Sequence, residues 1–185
     1  MLALVRKPSE IKNPKLKSVV INFDDIEAHA KELSVQDVFC CLGTTIKAAG
    51  SRAAFYKVDY SYVLDVARLL KAQGAERFFV VSAMGSDKHS RIFYNQVKGE
   101  MEEALRALEF KSLHVFRPSL LLGQRKEFRM GEKIATQATK ILKPVFLLGL
   151  KKFEPIEAAK VAKFMVEASH SNVTGFHIYE SDKMQ

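Results

Sequence analysis

Tyr94 and Lys98 stand four residues apart in the run Phe93-Tyr94-Asn95-Gln96-Val97-Lys98. On a helix that spacing puts both side chains on one face. A phenol exchanges protons poorly at neutral pH, because its ordinary pKa is about 10. A lysine cation held beside it favours the phenolate and lowers that value. Ser82 ends the apolar run Phe78–Val81, twelve positions before Tyr94, and its hydroxyl is suited to orient a carbonyl by hydrogen bonding. The three together could move a proton to or from an oxygen while a nicotinamide supplies or takes the hydride. Tyr-x-x-x-Lys also arises in helices whose tyrosine is core and whose lysine is solvated, so the positioning elements matter.

Those elements alternate. Leu2–Val5, Lys17–Phe23, Asp37–Leu42, Arg77–Ser82, Ser112–Phe116 and Gly175–Tyr179 read as strands. Ile26–Leu33, Asp59–Gln73, Tyr94–Leu108, Gly131–Leu142 and Ile156–Ser169 read as helices, Asp59–Gln73 with apolar residues at the helical period and Gly74 at its end. Strands alternating with helices predict βαβ units and a parallel sheet. The expected fold is α/β, a Rossmann-like parallel sheet flanked by helices. In it a strand-end serine and the next helix meet at the carboxyl edge, where open α/β sheets bind ligands. At 185 residues the chain is expected to be one domain, residues 1–185.

Composition excludes several classes. The 48% hydrophobic and 27% charged fractions suit a folded globular chain. Lys and Arg number 29 against 21 acids, a net charge of +8, but the excess is spread along the chain. It favours anionic ligands over a clustered nucleic-acid face. His29, His89, His114, His170 and His177 are scattered, so no metal is expected. Cys40 and Cys41 are adjacent, which suits neither an ordinary disulfide nor a metal site. Their reading is small core residues in a reducing compartment, and a cytoplasmic location is the expectation. No apolar stretch approaches the length of a membrane span.

Three runs carry a family likeness: Cys40-Cys41-Leu42-Gly43-Thr44-Thr45, Phe93 to Glu100 (FYNQVKGE), and Phe116-Arg117-Pro118-Ser119-Leu120-Leu121-Leu122. With them the chain resembles the atypical short-chain dehydrogenases, in their Tat-interacting-protein-like oxidoreductase branch. The resemblance implies Tyr94 as general acid/base, Lys98 as its partner and a holder of the nicotinamide ribose, and Ser82 as the carbonyl-orienting residue. It places Leu42 and Gly43 beside the cofactor, Leu121 near the nicotinamide and Arg129 on the cofactor phosphates. Arg6 and Lys7 follow the first strand, where an NAD-binding fold usually has an acid for the ribose hydroxyls. Two cations suit a 2′-phosphate instead, so NADP(H) is expected over NAD(H). Asp24, after the next strand, is placed to touch the adenine edge, and turn capping explains it equally.

The nine glycines contain no G-x-G-x-x-G or G-x-x-G-x-x-G turn, and Leu2–Val5 matches the family's second strand. The expectation is an N-terminally truncated sheet, with the first strand and its glycine-rich turn absent upstream of Met1. Two readings of the fold follow, and a nucleic-acid binder marked by the net basic charge ranks below both. One is an NADP(H)-dependent oxidoreductase, once the chain is completed upstream, acting on a small-molecule carbonyl or alcohol. The other is a catalytically impaired cofactor sensor or protein-interaction remnant of that fold, with protein partners. The substrate pocket is expected from about residues 123–152.

Overall fold

The computed structural model describes residues 1–123 and 151–185. Its strands are β1 (Leu2–Val5), β2 (Lys17–Val20), β3 (Asp37–Cys40), β4 (Arg77–Val81), β5 (Ser112–Arg117), β6 (Leu121–Leu122), β7 (Ile156–Glu157) and β8 (Gly175–Glu180). The helices are α1 (Ile46–Ala49), α2 (Arg52–Tyr56), α3 (Tyr62–Ala72), α4 (Phe93–Arg106) and α5 (Ala158–Ser169). β3, β4, β5 and β8 form one sheet in that order, every pair parallel. β1 pairs β2 and β6 pairs β7, also in parallel. The flanked parallel sheet is the Rossmann-like architecture that the alternation predicts.

The inner strands β4 and β5 are covered on both faces, so their runs are largely apolar. One face carries Val38, Cys40, Phe78, Val80, Leu113 and Val115 against Val63, Val66, Ala67 and Leu70 of α3 and Met101 and Leu105 of α4. The other carries Phe79 and Phe116 against Val161, Met165 and Ala168 of α5. Leu2 and Leu4 of β1 pack on the first of these clusters. Among the described residues no ladder joins β1 to β3. The two sheets are held by side chains, with Phe23 and Ile26 of the 3₁₀ segment Phe23–Glu32 contributing.

The structure departs from the sequence pattern in two useful places. Helix begins well before Asp59: Thr45 caps α1 through the Ala48 N–H and Ser51 caps α2 through the Ala54 N–H. From there Lys57–Ser61 continue as a π-helical turn into α3. Ile156 does not begin α5 but pairs with Leu121, its N–H donating to the Leu120 carbonyl. Tertiary pairing overrides the helical pattern at that position. The helix expected over Gly131–Leu142 lies outside the described residues.

His114, 1% exposed, stacks on Phe79 at 4.6 Å between centroids. Ser112 donates to the Val173 carbonyl, so its oxygen accepts from His114 Nε2–H at 2.6 Å. His114 Nδ1 then accepts from the Tyr179 hydroxyl at 3.0 Å, and the ring is satisfied as a neutral tautomer. Burial, with His177 and Arg77 nearby, pushes its pKa down to about 4. Between its ordinary value and that one, the unfolded chain binds a proton that the native chain does not. Stability is therefore full above about pH 6.5 and falls as the pH drops towards 4, by about 3 kcal/mol. Urea midpoints across that window are expected to fall for the natural chain and to lose this part of the slope in His114→Gln.

Candidate active site

β3 ends at Cys40, and the chain turns through Cys41-Leu42-Gly43-Thr44 before Thr45 caps α1. Beneath this turn lies Asp59, carried by the π-helical turn. Its Oδ2 accepts the Thr44 N–H at 2.8 Å. Its Oδ1 lies 2.8 Å from Lys98 Nζ, with the two side chains 1% and 4% exposed. A Cβ added at Gly43 would stand 3.4 Å from Asp59 Oδ1 and 3.8 Å from Lys98 Nζ. The turn after β3, the segment before α3, and α4 thus meet at one buried ion pair. Tyr94, one helical turn before Lys98, is half-buried and packs its ring 5.4 Å from that of Phe55.

Gly43 also borders a cavity of about 110 Å³, lined with it by Arg6, Phe23, Cys41, Leu42, Val58 and Tyr62. Three residues singled out from sequence, Arg6, Leu42 and Gly43, therefore converge although they come from different strands and turns. Lys7 is exposed and does not line this cavity. Asp24 is tied up beside it: the Tyr62 hydroxyl donates to Oδ1 at 2.7 Å and Lys57 Nζ stands at 2.6 Å. The Lys57 and then the Tyr62 hydrogen bond hold its carboxyl below the usual carboxylate value.

Ser82 sits elsewhere in the hydrogen-bond network. It is buried at the end of β4, where its hydroxyl donates to Glu102 and lies 3.0 Å from Ser86 Oγ. Glu102 in turn takes Arg117, whose Nη2 is 2.6 Å from Oε2, and Arg117 reaches Glu180 at 3.5 Å. A larger cavity of about 250 Å³ opens on that side, lined by Ser86, Glu102, Arg106, Arg117 and Phe176 among others. Tyr94, Lys98 and Gly43 are not among its lining residues. Leu121, paired with Ile156, packs on the Phe79–Phe116 cluster and lines neither cavity. Arg129, and the expected substrate segment between residues 124 and 150, lie outside the described residues.

Sequence reasoning missed Asp59, Glu102 and the cavity wall of Phe23, Val58 and Tyr62. Asp59 passed for the polar start of a helix. A sharper signal was available in Thr45 and Ser51, cap residues that require helix upstream of Asp59 and so place it inside a helical segment.

A family model described as NAD(P)H-binding matches residues 1–172. The protein HTATIP2 of Rattus norvegicus is 45% identical over 117 residues, 63% of this chain and 48% of the rat protein. The mitochondrial protein FMP52 of Candida albicans is 31% identical over 178 residues, covering 93% of this chain and 77% of that protein. The chain thus spans about half the length of the rat relative. MoeE5, solved in complex with UDP-glucuronic acid and NAD, matches with a TM-score of 0.69 at 13% identity, over 96% of this chain and 66% of that one. That likeness is one of fold. The expected cytoplasmic location is corrected by the relatives, since FMP52 proteins of several fungi are named mitochondrial. Two free thiols fit any reducing compartment and could not have distinguished the two.

Proposed function

Because the chain belongs to the NAD(P)H-binding family, in the Tat-interacting-protein-like branch of the atypical short-chain dehydrogenases, we propose that it is an NADP(H)-dependent oxidoreductase acting on a carbonyl or alcohol. The observation that carries this reading is the convergence of the Lys98 ammonium and the Arg6–Leu42–Gly43 cavity on one turn. The residues suit the cofactor. Gly43 offers bare backbone, Leu42, Phe23 and Val58 an apolar wall, and Arg6 a cation at the cavity's rim. A cofactor held along this turn would supply hydride from its reduced nicotinamide.

Tyr94 supplies the proton to the substrate oxygen in reduction and removes it in oxidation. Lys98 is its partner one helical turn on and binds the ribose hydroxyls. Arg6 and Lys7 take the 2′-phosphate, and Asp24 stands at the adenine side. Leu121 near the nicotinamide and Arg129 on the phosphates complete the assignment by family resemblance. The same likeness to the FMP52 proteins supports a mitochondrial location.

A second reading rests on Ser82. A hydroxyl has one proton to donate, and that of Ser82 goes to Glu102. A serine so engaged does not also donate to a substrate carbonyl, which favours a cofactor-binding sensor without turnover. Loss of reduced-nicotinamide absorbance over a panel of aldehydes and ketones separates the two: turnover of any member supports the oxidoreductase, and binding without turnover supports the sensor. Cofactor choice has its own variant. Arg6→Glu repels a 2′-phosphate and can accept from free ribose hydroxyls. It is expected to shift the NADPH/NADH affinity ratio towards NADH by at least about tenfold. An unchanged ratio removes Arg6 from the phosphate site.

A further inference from the structure

We propose that Asp59 is the positioning residue for Lys98, its carboxylate holding the ammonium against the Gly43–Thr44 turn. The inference rests on reading Lys98 as the residue that meets the cofactor ribose.

The carboxylate divides its two oxygens between the two things that must be aligned. Oδ2 accepts from the Thr44 backbone N–H, and Oδ1 faces the Lys98 ammonium. Oδ1 has no other partner among the described residues. Loop and lysine are therefore referenced to one rigid group. A buried cation left unpaired is costly, so the facing carboxylate fixes where the ammonium stays. Folding does not explain the pair, because apolar residues of similar shape usually stabilise a core as well as a buried ion pair does. Asp59 is also carried by a π-helical turn, a feature that interrupts regular helix and recurs at functional sites. Gly43 fits the same picture: a Cβ there would stand in van der Waals contact with Asp59 Oδ1 and Lys98 Nζ, so the turn lies directly against the ion pair.

The test is a double-mutant cycle on NADPH affinity, read by fluorescence, with Asp59→Asn, Lys98→Met and the double variant. Asp59→Asn is expected to weaken NADPH binding at least about tenfold in the natural background and less than about twofold when Lys98→Met is already present. Asp59→Glu, which keeps the charge but moves it by one methylene, is expected to fall between Asp59→Asn and the natural chain. Near-natural affinity in Asp59→Asn, or an equal loss in both backgrounds, overturns the proposal and leaves a structural carboxylate. If Lys98→Met itself leaves NADPH affinity unchanged, the underlying reading of Lys98 fails, and this proposal with it. Should Asp59→Asn not fold, Asp59→Glu runs the same cycle. Its loss must then likewise vanish in the Lys98→Met background, and an equal loss there overturns the proposal.

Discussion

Tyr94→Phe is expected to lower the turnover of a carbonyl substrate with NADPH by roughly 10²–10⁴-fold, the usual contribution of a positioned general acid. NADPH affinity is expected to stay within about twofold of natural, because the substitution removes one hydroxyl and keeps the ring. That ring packs against Phe55, which is fully buried, so the variant should hold the same place on α4. The split between turnover and binding is the informative part. A variant that lost cofactor affinity and turnover together would make Tyr94 a packing residue, and the proton would have to come from another group. The measurement needs one substrate from the carbonyl panel and single-turnover kinetics.

Gly99→Ala is expected to destabilise the protein by at least about 3 kcal/mol, above the common range for overpacking. A Cβ at this position would lie 2.2 Å from Lys88 N, 2.3 Å from Asp87 C and 2.7 Å from Asp87 Cα. These are backbone atoms, and neither a rotamer change nor a side-chain shift relieves the contact. Either the Asp87–Lys88 loop moves or α4 does. Since Lys98 is the neighbouring residue, a displaced α4 would also pull the ammonium from Asp59. Urea unfolding checks the claim directly, and an unchanged midpoint would mean that loop and helix do not touch as described.

How far the sequence revealed this arrangement depended on the range of each interaction. β4 was legible because a strand buried on both faces needs an unbroken apolar run, as in Phe78–Val81, and β5 because Leu113–Phe116 breaks that pattern only at His114. Tyr94 and Lys98 were legible because helical spacing is local. Arg6 could be connected to Leu42 and Gly43 only through family resemblance, and the cavity they share is a tertiary fact. Asp59 escaped because its partners, Thr44 and Lys98, lie on other elements, and nothing in its neighbours marks an acid as buried. The same holds for Glu102, whose exposed-looking helical position is closed over by Ser82 and Arg117. Ser82 was found as a strand-end residue, yet where its proton goes could not be read without Glu102 in place. The π-helical turn was hidden behind Gly50-Ser51, which reads as a loop until Ser51 is seen capping α2.

The proposed cofactor site is centred on the turn after β3. That placement is tested most directly by titrating the protein with NADPH and following backbone amide shifts. The largest changes are expected at Arg6, Leu42, Gly43 and Thr44, with Lys98 following. Shifts confined to the other cavity, around Arg106, Arg117 and Phe176, or a folded protein that shows no shifts at all, would contradict it.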